Sequence, residues 1–279
     1  MKLQNVSMLT LDILISTIDD GIRKVPHMLL PFCEGVTYVV SMQYTDERHL
    51  NDIPNELQQR ADVRMTTLQG KGLSRNRNHA IHAAKADVLL IADDDVQFDA
   101  DGIAQLRRAY SEHPNLDVLL CQLHNTEGQP LKFYPQTAIA YNEARRQGYY
   151  PSSCDISMRR CAVVDKLSFD EHFGLGTDTF GCGEEDIWLH DAVEMGLRVE
   201  YMPIRIGQTP AATTGTRFLT DVSVQRAKGA VFAHCYGRCE ALWRITKEAL
   251  HYFVYKRVNP LPLLFHMWQG MQSYQRIRR

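Results

Sequence analysis

The chain has 279 residues, of which 44% are hydrophobic and 23% charged, with a formal net charge of −2. This length suits one large α/β domain or two small ones, and the composition is that of an ordinary globular protein. The near-neutral balance gives no electrostatic case for a nucleic-acid partner.

Met1-Lys2-Leu3-Gln4-Asn5 lacks the basic-then-apolar pattern of a secretion signal. No stretch reaches the ~18 uninterrupted apolar residues of a spanning helix. The seven cysteines are odd in number and form no C-x-x-C pair, so they read as reduced packing thiols. The expected location is the cytoplasm.

Leu9 to Ser16 reads as the first strand, stopped by the loop signal Thr17-Ile18-Asp19-Asp20-Gly21 and followed by a helix through Leu29. Val36 to Met42 and Asp62 to Leu68 read as the second and third strands, the latter ended by Gly70-Lys71-Gly72. A helix is expected over Leu73 to Ala86, with Leu73, Ala80, Ile81 and Ala84 on its apolar stripe. Arg77 lies on that stripe, and an inward guanidinium needs an anion. A neighbouring carboxylate and a ligand phosphate both meet that need.

The apolar run Asp87 to Ala92 has the length of a buried strand and ends in Asp93-Asp94-Asp95. A helix over Asp99 to Glu112 and a strand over Leu116 to Leu123 follow. Strand and helix thus alternate over the first ~120 residues, the pattern of a parallel sheet covered on both faces. Ligands of such sheets bind outside the carboxyl ends of the strands, and the aspartate triplet stands at such an end.

Residues 125–153 are irregular, with Pro130, Pro135 and Pro151. Ser157 to Val164 reads as a short strand entering a turn. Gly181-Cys182-Gly183 then leads into Glu184-Glu185-Asp186, which opens a helix, and Leu197 to Tyr201 is the last strand. From Gln225 onward the chain reads as two helical pieces split by Asn259-Pro260-Leu261-Pro262. Their expected apolar stripes are Leu242, Ile245, Ala249, Tyr252 and Phe253, then Leu264, Trp268 and Met271. From Arg226 to the end there are ten Lys and Arg against two acids, Glu240 and Glu248. A basic, aromatic tail fits an anionic membrane surface; the alternative, which comes first, is a helical pair packed against the protein's own sheet.

Extended geometry through the triplet would send Asp93 and Asp95 to one side and Asp94 to the other. Two converging carboxylates suit Mg2+ or Mn2+, which take oxygen ligands and share them with phosphates. The alternative is a solvated turn, where aspartate is common. Walker and G-x-G-x-x-G phosphate loops are absent, so a phosphate grip would fall to the metal and Arg77. Glu184-Glu185-Asp186 either complements the helix dipole or supplies a base, Asp186 or Glu185, that takes a proton from a hydroxyl. Trp188 reads as core, and His234 as an unassigned late histidine.

Two sequence blocks carry a resemblance. Gly72-Leu73-Ser74-Arg75-Asn76-Arg77-Asn78 followed by Ala86 to Asp95 is similar to the Arg-Asn helix and D-x-D strand end of family 2 glycosyltransferases. Phe169-Asp170-Glu171-His172-Phe173-Gly174, Gly183-Glu184-Glu185-Asp186 and Gly196-Leu197-Arg198-Val199 resemble that family's acceptor-side segment. The resemblance covers about residues 9 to 205. It implies a GT-A fold, an α/β architecture with a mostly parallel central sheet flanked by helices, here with C-terminal helices added. It also implies a nucleoside diphosphate sugar donor, a divalent metal, and an inverting displacement by a hydroxyl of a saccharide or lipid-linked acceptor.

Carried over to this chain, the resemblance puts Asp93 at the nucleoside and Asp95 on the metal, with Asp93 as a further metal candidate. Arg77 and Asp94 fall near the donor, Ser16 and Thr17 line the nucleotide pocket, and Asp186, with Glu185 beside it, is the general base. The family's second strand commonly ends in an Asp-rich turn; here Ser41-Met42-Gln43-Tyr44-Thr45-Asp46 stands in its place, leaving base recognition to Gln43. The expected layout is a transferase domain over 1–225, with a donor half to about 123 and an acceptor half over 124–225, and a helical appendage over 226–279. The rival readings are a sugar-1-phosphate nucleotidyltransferase, which usually has a Gly-rich basic loop after strand one, and a catalytically inactive sugar- or lipid-binding module.

Overall fold

The computed structural model describes residues 8–210 and 217–278. The N-terminal pentapeptide Met1-Lys2-Leu3-Gln4-Asn5, which lacks a signal pattern, lies outside the described residues. In chain order the elements are β1 (Leu11–Ile18), a 3-10 helix (Asp19–Met28), β2 (Val36–Tyr44), a 3-10 helix (Glu47–Asp52), α1 (Asn55–Gln59), β3 (Val63–Gln69) and α2 (Leu73–Ala83). Then come β4 (Val88–Asp93), β5 (Gln97–Phe98), α3 (Ala100–Glu112), β6 (Val118–His124), β7 (Ile139–Ala140) and α4 (Tyr141–Arg146). A 3-10 turn (Ser153–Asp155), β8 (Ile156–Arg159), α5 (Arg160–Val163), α6 (Glu184–Glu194), β9 (Val199–Gln208), α7 (Val222–Lys256) and α8 (Pro260–Ile277) complete it.

The chain divides into two compact units. The first comprises Met1–Lys71, Arg75–Ser168 and Asp191–Ala211 and holds the whole sheet; the second comprises Gly72–Ser74, Phe169–His190 and Ala212–Arg279.

In the first unit the sheet order is β3-β2-β1-β4-β8-β6-β9-β5, with β7 on β9. The long strands β1, β2, β3 and β4 are mutually parallel, and so are β6 and β9; β8, β5 and β7 pair antiparallel. Strands β2 and β4 are nearly continuous apolar runs because both faces are covered, whereas β3, at the sheet edge, is only partly buried. Ile13, Ile15, Val40, Leu90 and Ala92 face one core with Ile22 and Val25 of the first 3-10 helix and Ile103, Leu106 and Tyr110 of α3. Leu14, Val39 and Ile91, on alternate positions, are buried on the other face.

Several boundaries depart from the sequence reading. β1 continues through Thr17-Ile18, and the turn of helix after it is 3-10 with Pro26 inside. The strand expected over Ser157 to Val164 is only Ile156–Arg159, after which the chain enters α5. The last strand is ten residues long and runs to Gln208, past Pro203.

The irregular stretch before β8 is organised by a buried carboxylate. Asp155 is fully buried and pairs with Lys132 Nζ at 2.7 Å. It also accepts hydrogen bonds from Ser152 N at 2.9 Å, Tyr149 OH at 3.2 Å and Tyr134 OH at 3.3 Å. The Tyr149 ring packs 5.5 Å from Tyr134 and 5.0 Å from Tyr201. Burial, and next the Asp155 charge, pushes both the Tyr134 and Tyr149 hydroxyls up, so they stay protonated donors.

In the second unit the last part of α7, beyond Gly237, forms a hairpin with α8 whose buried face is Ala241, Ile245 and Ala249 against Leu263, Met267 and Met271. The expected stripe is therefore rotated: Leu242 and Phe253 on α7 and Trp268 on α8 are exposed. Small residues let the helix backbones approach. A Cβ on Gly229 would stand 1.8 Å from the Met267 carbonyl oxygen, and one on Gly270 would stand 1.8 Å from that of Arg226. Gly237, at φ 68° and ψ 179°, breaks α7 in its middle. A second cluster joins Phe173, Phe180 and Ile187 to Ala227, Val231 and Tyr274. Among the described residues no helix is long and apolar enough to cross a membrane.

Candidate active site

The carboxyl ends of β1, β2 and β4 lie side by side in the first unit, with Ser16 in register with Ser41 on one side and Asp93 on the other. Strand β4 ends at Asp93, and the chain turns at Asp94-Asp95. The extended alternation anticipated for the triplet therefore does not persist. Each carboxylate instead has its own environment.

Asp93 Oδ1 accepts a hydrogen bond from Arg77 Nη2 at 2.8 Å. Arg77 is 1% exposed, so of the two anions its inward position allowed, the structure supplies the carboxylate. Asp94 turns toward β1: its Oδ2 accepts from Thr17 Oγ1 at 2.6 Å, and Lys24 Nζ lies 3.6 Å from Oδ1. Gly21 makes this possible, because a Cβ there would fall 2.4 Å from Asp94 Oδ2 and 2.7 Å from Thr17 Oγ1. Asp95 Oδ1 accepts from Thr209 Oγ1, just past β9, at 3.1 Å. Burial first, and then the Asp93 charge, pushes the Asp95 carboxyl up, with Asp94 adding to the effect. Carboxylate oxygens are the ligand type that a hard divalent cation such as Mg2+ or Mn2+ takes, but the three are turned to separate partners and do not converge as a group of three.

Behind the triplet the strand ends are polar and buried. Asn76 of α2 donates from Nδ2 to the carbonyls of Thr17 (3.0 Å) and Ser41 (3.1 Å), and its Oδ1 accepts from Ser41 Oγ at 2.6 Å. This crosslink fixes α2, and with it Arg77, against the ends of β1 and β2. Ser16 Oγ and Gln43 Nε2 are buried and have no hydrogen-bond partner among the described residues. Leaving such atoms unsatisfied costs about 1–3 kcal/mol each, a cost a bound polar ligand removes. Both residues belong to the expected nucleotide pocket.

Sequence reasoning missed Asp19. It adopts φ 50° at the end of β1, a conformation uncommon outside glycine. Its carboxylate accepts from Thr45 N at 2.8 Å and Thr45 Oγ1 at 2.9 Å, tying the end of β1 to that of β2. The only signal in the chain was the Asp19-Asp20-Gly21 turn composition, which also contained Gly21.

Glu185 and Asp186 belong to the second unit. They stand in the first turn of α6, where carboxylates complement the helix dipole. Gly183, at φ 95°, precedes them and packs its α-carbon toward Val231. The Cys182 thiol is pushed up to about 12, first by burial and then by the charges of Glu185, Glu184 and Asp186. The approach to this helix is shaped by Ser74 Oγ donating to Phe173 O at 2.6 Å and Leu73 N donating to Leu175 O at 2.9 Å. Trp188 is fully buried and stacks on Phe169 at 5.6 Å, as a core residue does. His234 meets the Tyr274 hydroxyl through Nδ1 at 2.5 Å, and its ring lies edge-on to His190 at 5.6 Å.

Residues 47–173 match the family model described as Glycosyl transferase family 2. Among solved structures the chain is similar to TarS 1-349 of S. aureus, with TM-score 0.60 and 14% identity over 96% of this chain and 92% of that one. The same protein in complex with UDP-GlcNAc gives TM-score 0.59 and 15% identity over 90% and 74%. The mannosyltransferase PcManGT from Pyrobaculum calidifontis, in complex with GDP-Man and Mn2+, gives 0.55 and 13% over 95% and 84%. At these identities the likeness is one of fold. A search of curated proteins by sequence returns no match.

Proposed function

We propose that this chain, whose residues 47–173 match the Glycosyl transferase family 2 model and whose fold is shared with glycosyltransferases of known structure, moves a hexosyl group from a nucleoside diphosphate sugar to a hydroxyl of a saccharide or lipid-linked acceptor, with inversion. The observation that carries this reading is the polar end of the parallel strands, where buried Ser16 Oγ and Gln43 Nε2 lack partners beside three carboxylates. Strand ends of this kind take the nucleotide in open α/β sheets.

In this reading Ser16, Thr17 and Gln43 hold the nucleoside, and Asp93 meets it from the end of β4. Asp95, with Asp93, would hold Mg2+ or Mn2+. Such an ion, when bound, neutralises charge on the diphosphate. Arg77 fixes the Asp93 carboxylate and adds positive potential near the leaving group. Asp94, anchored by Thr17, keeps the turn in shape. Asp186 takes the proton of the attacking acceptor hydroxyl, and Glu185 adds to the negative field around it. UDP-GlcNAc and GDP-Man are bound by the similar structures; a UDP-sugar is the donor we propose. We place the transferase domain at 1–225, with its donor half to about 123 and its acceptor half over 124–225. Surface polysaccharide synthesis and a peripheral contact of 226–279 with the cytoplasmic membrane face complete the proposal.

The test is to incubate the chain with UDP-sugars and Mn2+ and to follow released UDP. UDP release supports transfer, whereas pyrophosphate release from a sugar phosphate and UTP identifies a nucleotidyltransferase instead. Asp186→Asn is expected to abolish transfer and leave donor binding intact; surviving transfer removes Asp186 as the base.

A further inference from the structure

The α7–α8 hairpin carries two apolar stripes that its own packing does not use. On α7, Trp243, Leu250 and Val254 recur at i, i+7 and i+11, opposite the buried Ala241, Ile245 and Ala249. On α8, Leu261, Phe265 and Trp268 recur at i, i+4 and i+7, opposite the buried Leu263, Met267 and Met271. The hairpin thus presents apolar side chains on both outer faces. They are most exposed around its closed end: Val254 is 65%, Tyr255 72% and Leu261 68% accessible. Trp243 lies about 20 Å along the helix from Lys256, so the collar is confined to the distal part of the hairpin.

The same stretch is basic. Residues 243–268 hold Arg244, Lys247, Lys256 and Arg257 against a single acid, Glu248. Arg244 is engaged with Glu240 at 2.8 Å and lies over the Tyr236 ring. Lys247 lies 5.2 Å from the Trp243 ring centre, placing an ammonium beside an exposed indole. Lys256 and Arg257 stand at the turn, where Arg257 takes a left-handed conformation at φ 53°. Apolar and aromatic side chains interleaved with cations suit the boundary between lipid head groups and acyl chains.

We propose that the closed end of this hairpin, collared by Trp243, Leu250, Val254, Leu261, Phe265 and Trp268, docks on an anionic lipid surface. Lys247, Lys256 and Arg257 bind lipid phosphates, while the aromatic and aliphatic side chains enter the head-group region. A second copy of the chain is the disfavoured occupant, because a self-complementary interface would bring the same three cations together. With stripes on opposite outer faces, the hairpin enters the interface by its end. A helix lying flat would bury one stripe and leave the other in water. The inference deepens the lipid-linked-acceptor part of the proposed function and rests on that reading for its purpose, while the surface itself stands on the hairpin alone.

The full chain is mixed with vesicles of phosphatidylcholine alone or with about one-third phosphatidylglycerol, a density giving the negative surface potential on which this kind of binding depends. Binding is read by flotation and by tryptophan emission. Trp188 is already buried, so a blue shift reports Trp243 and Trp268. The expected result is flotation and a blue shift with the anionic vesicles only. A Lys247→Gln, Lys256→Gln, Arg257→Gln variant should lose about a hundredfold in partitioning. A Leu250→Ser, Val254→Ser, Leu261→Ser variant, whose sites are exposed in the fold, should lose both signals while keeping its thermal midpoint. Absence of vesicle binding by the parent chain overturns the inference. So does sedimentation showing a dimer that the serine variant converts to monomer without vesicle binding. UDP release from a soluble donor should be unchanged in both variants. Absence of vesicle binding by the parent chain with its UDP release intact counts against the hairpin alone, and absence of UDP release by the parent chain with vesicle binding intact counts against the transferase reading alone.

Discussion

Arg77, buried in α2, holds Asp93 at the last residue of β4 across 2.8 Å. The pair joins the helix that Asn76 staples to β1 and β2 with the strand that carries the aspartate triplet. Arg77→Met would leave Asp93 without its buried cation. Because Asp93 is 38% exposed, the loss is discounted from the 3–5 kcal/mol typical of a fully buried pair to about 2 kcal/mol. Urea unfolding of the two proteins measures it. Donor affinity, followed by thermal shift with a UDP-sugar, should fall in parallel.

Gly21 lies where a methyl group would strike both Asp94 Oδ2 and Thr17 Oγ1. Gly21→Ala is expected to break the 2.6 Å Thr17–Asp94 hydrogen bond and re-aim the turn. Mn2+ affinity, read by titration calorimetry, should drop about tenfold, the order seen when a supporting contact of a metal site is lost. The thermal midpoint should change little, since the displaced atoms are side-chain ends.

Asp155 pairs with Lys132 and accepts three further hydrogen bonds in the interior. Asp155→Ala removes one partner of a buried ion pair and takes the acceptor from the Tyr149 hydroxyl, at a cost of about 3–5 kcal/mol. Chemical denaturation gives the number. A loss under 1 kcal/mol would mean that the segment before β8 does not depend on this carboxylate.

The pH dependence of stability should carry the mark of Asp62. Its carboxylate is held below the usual range, first by its hydrogen bonds to Arg60 at 2.6 and 2.9 Å, against the opposing pull of burial. A depressed folded-state value means stability that is present above the unfolded value of about 3.9 and is lost as pH falls through the folded value. The difference in thermal midpoint between the parent and Asp62→Asn should therefore be full at pH 7 and shrink below about pH 4. A difference that is flat from pH 7 to 3 would contradict it.

The first half of the fold was legible because buried parallel strands are continuous apolar runs, and β2 and β4 are such runs. The triplet was legible as a strand end, and Arg77 as an inward cation. Its partner was not, since an amphipathic stripe says that a guanidinium needs an anion without saying which. The contacts that shape the site join residues far apart in the chain: Thr17 to Asp94 spans 77 positions and Asp19 to Thr45 spans 26. No local pattern encodes them. β9 was cut short because Met202-Pro203 reads as a break, and proline is tolerated there only because its position needs no ladder donor. The α7 stripe was misread because Ala241, a small residue, marks the packed face, while larger Leu242 and Phe253 are left outside.

The reciprocal seats of Gly229 and Gly270 have a consequence for how the C-terminal hairpin can vary. Sliding α8 by one turn would bring His266 or Tyr274 to the place where only a hydrogen fits beside the Arg226 carbonyl. The alignment of the two helices is therefore decided there, remote from the Arg257–Asn259 connection that joins them. Insertions or deletions in that connection should be absorbed by the turn itself, leaving the seat of α8 on the part of α7 before Gly237 unchanged.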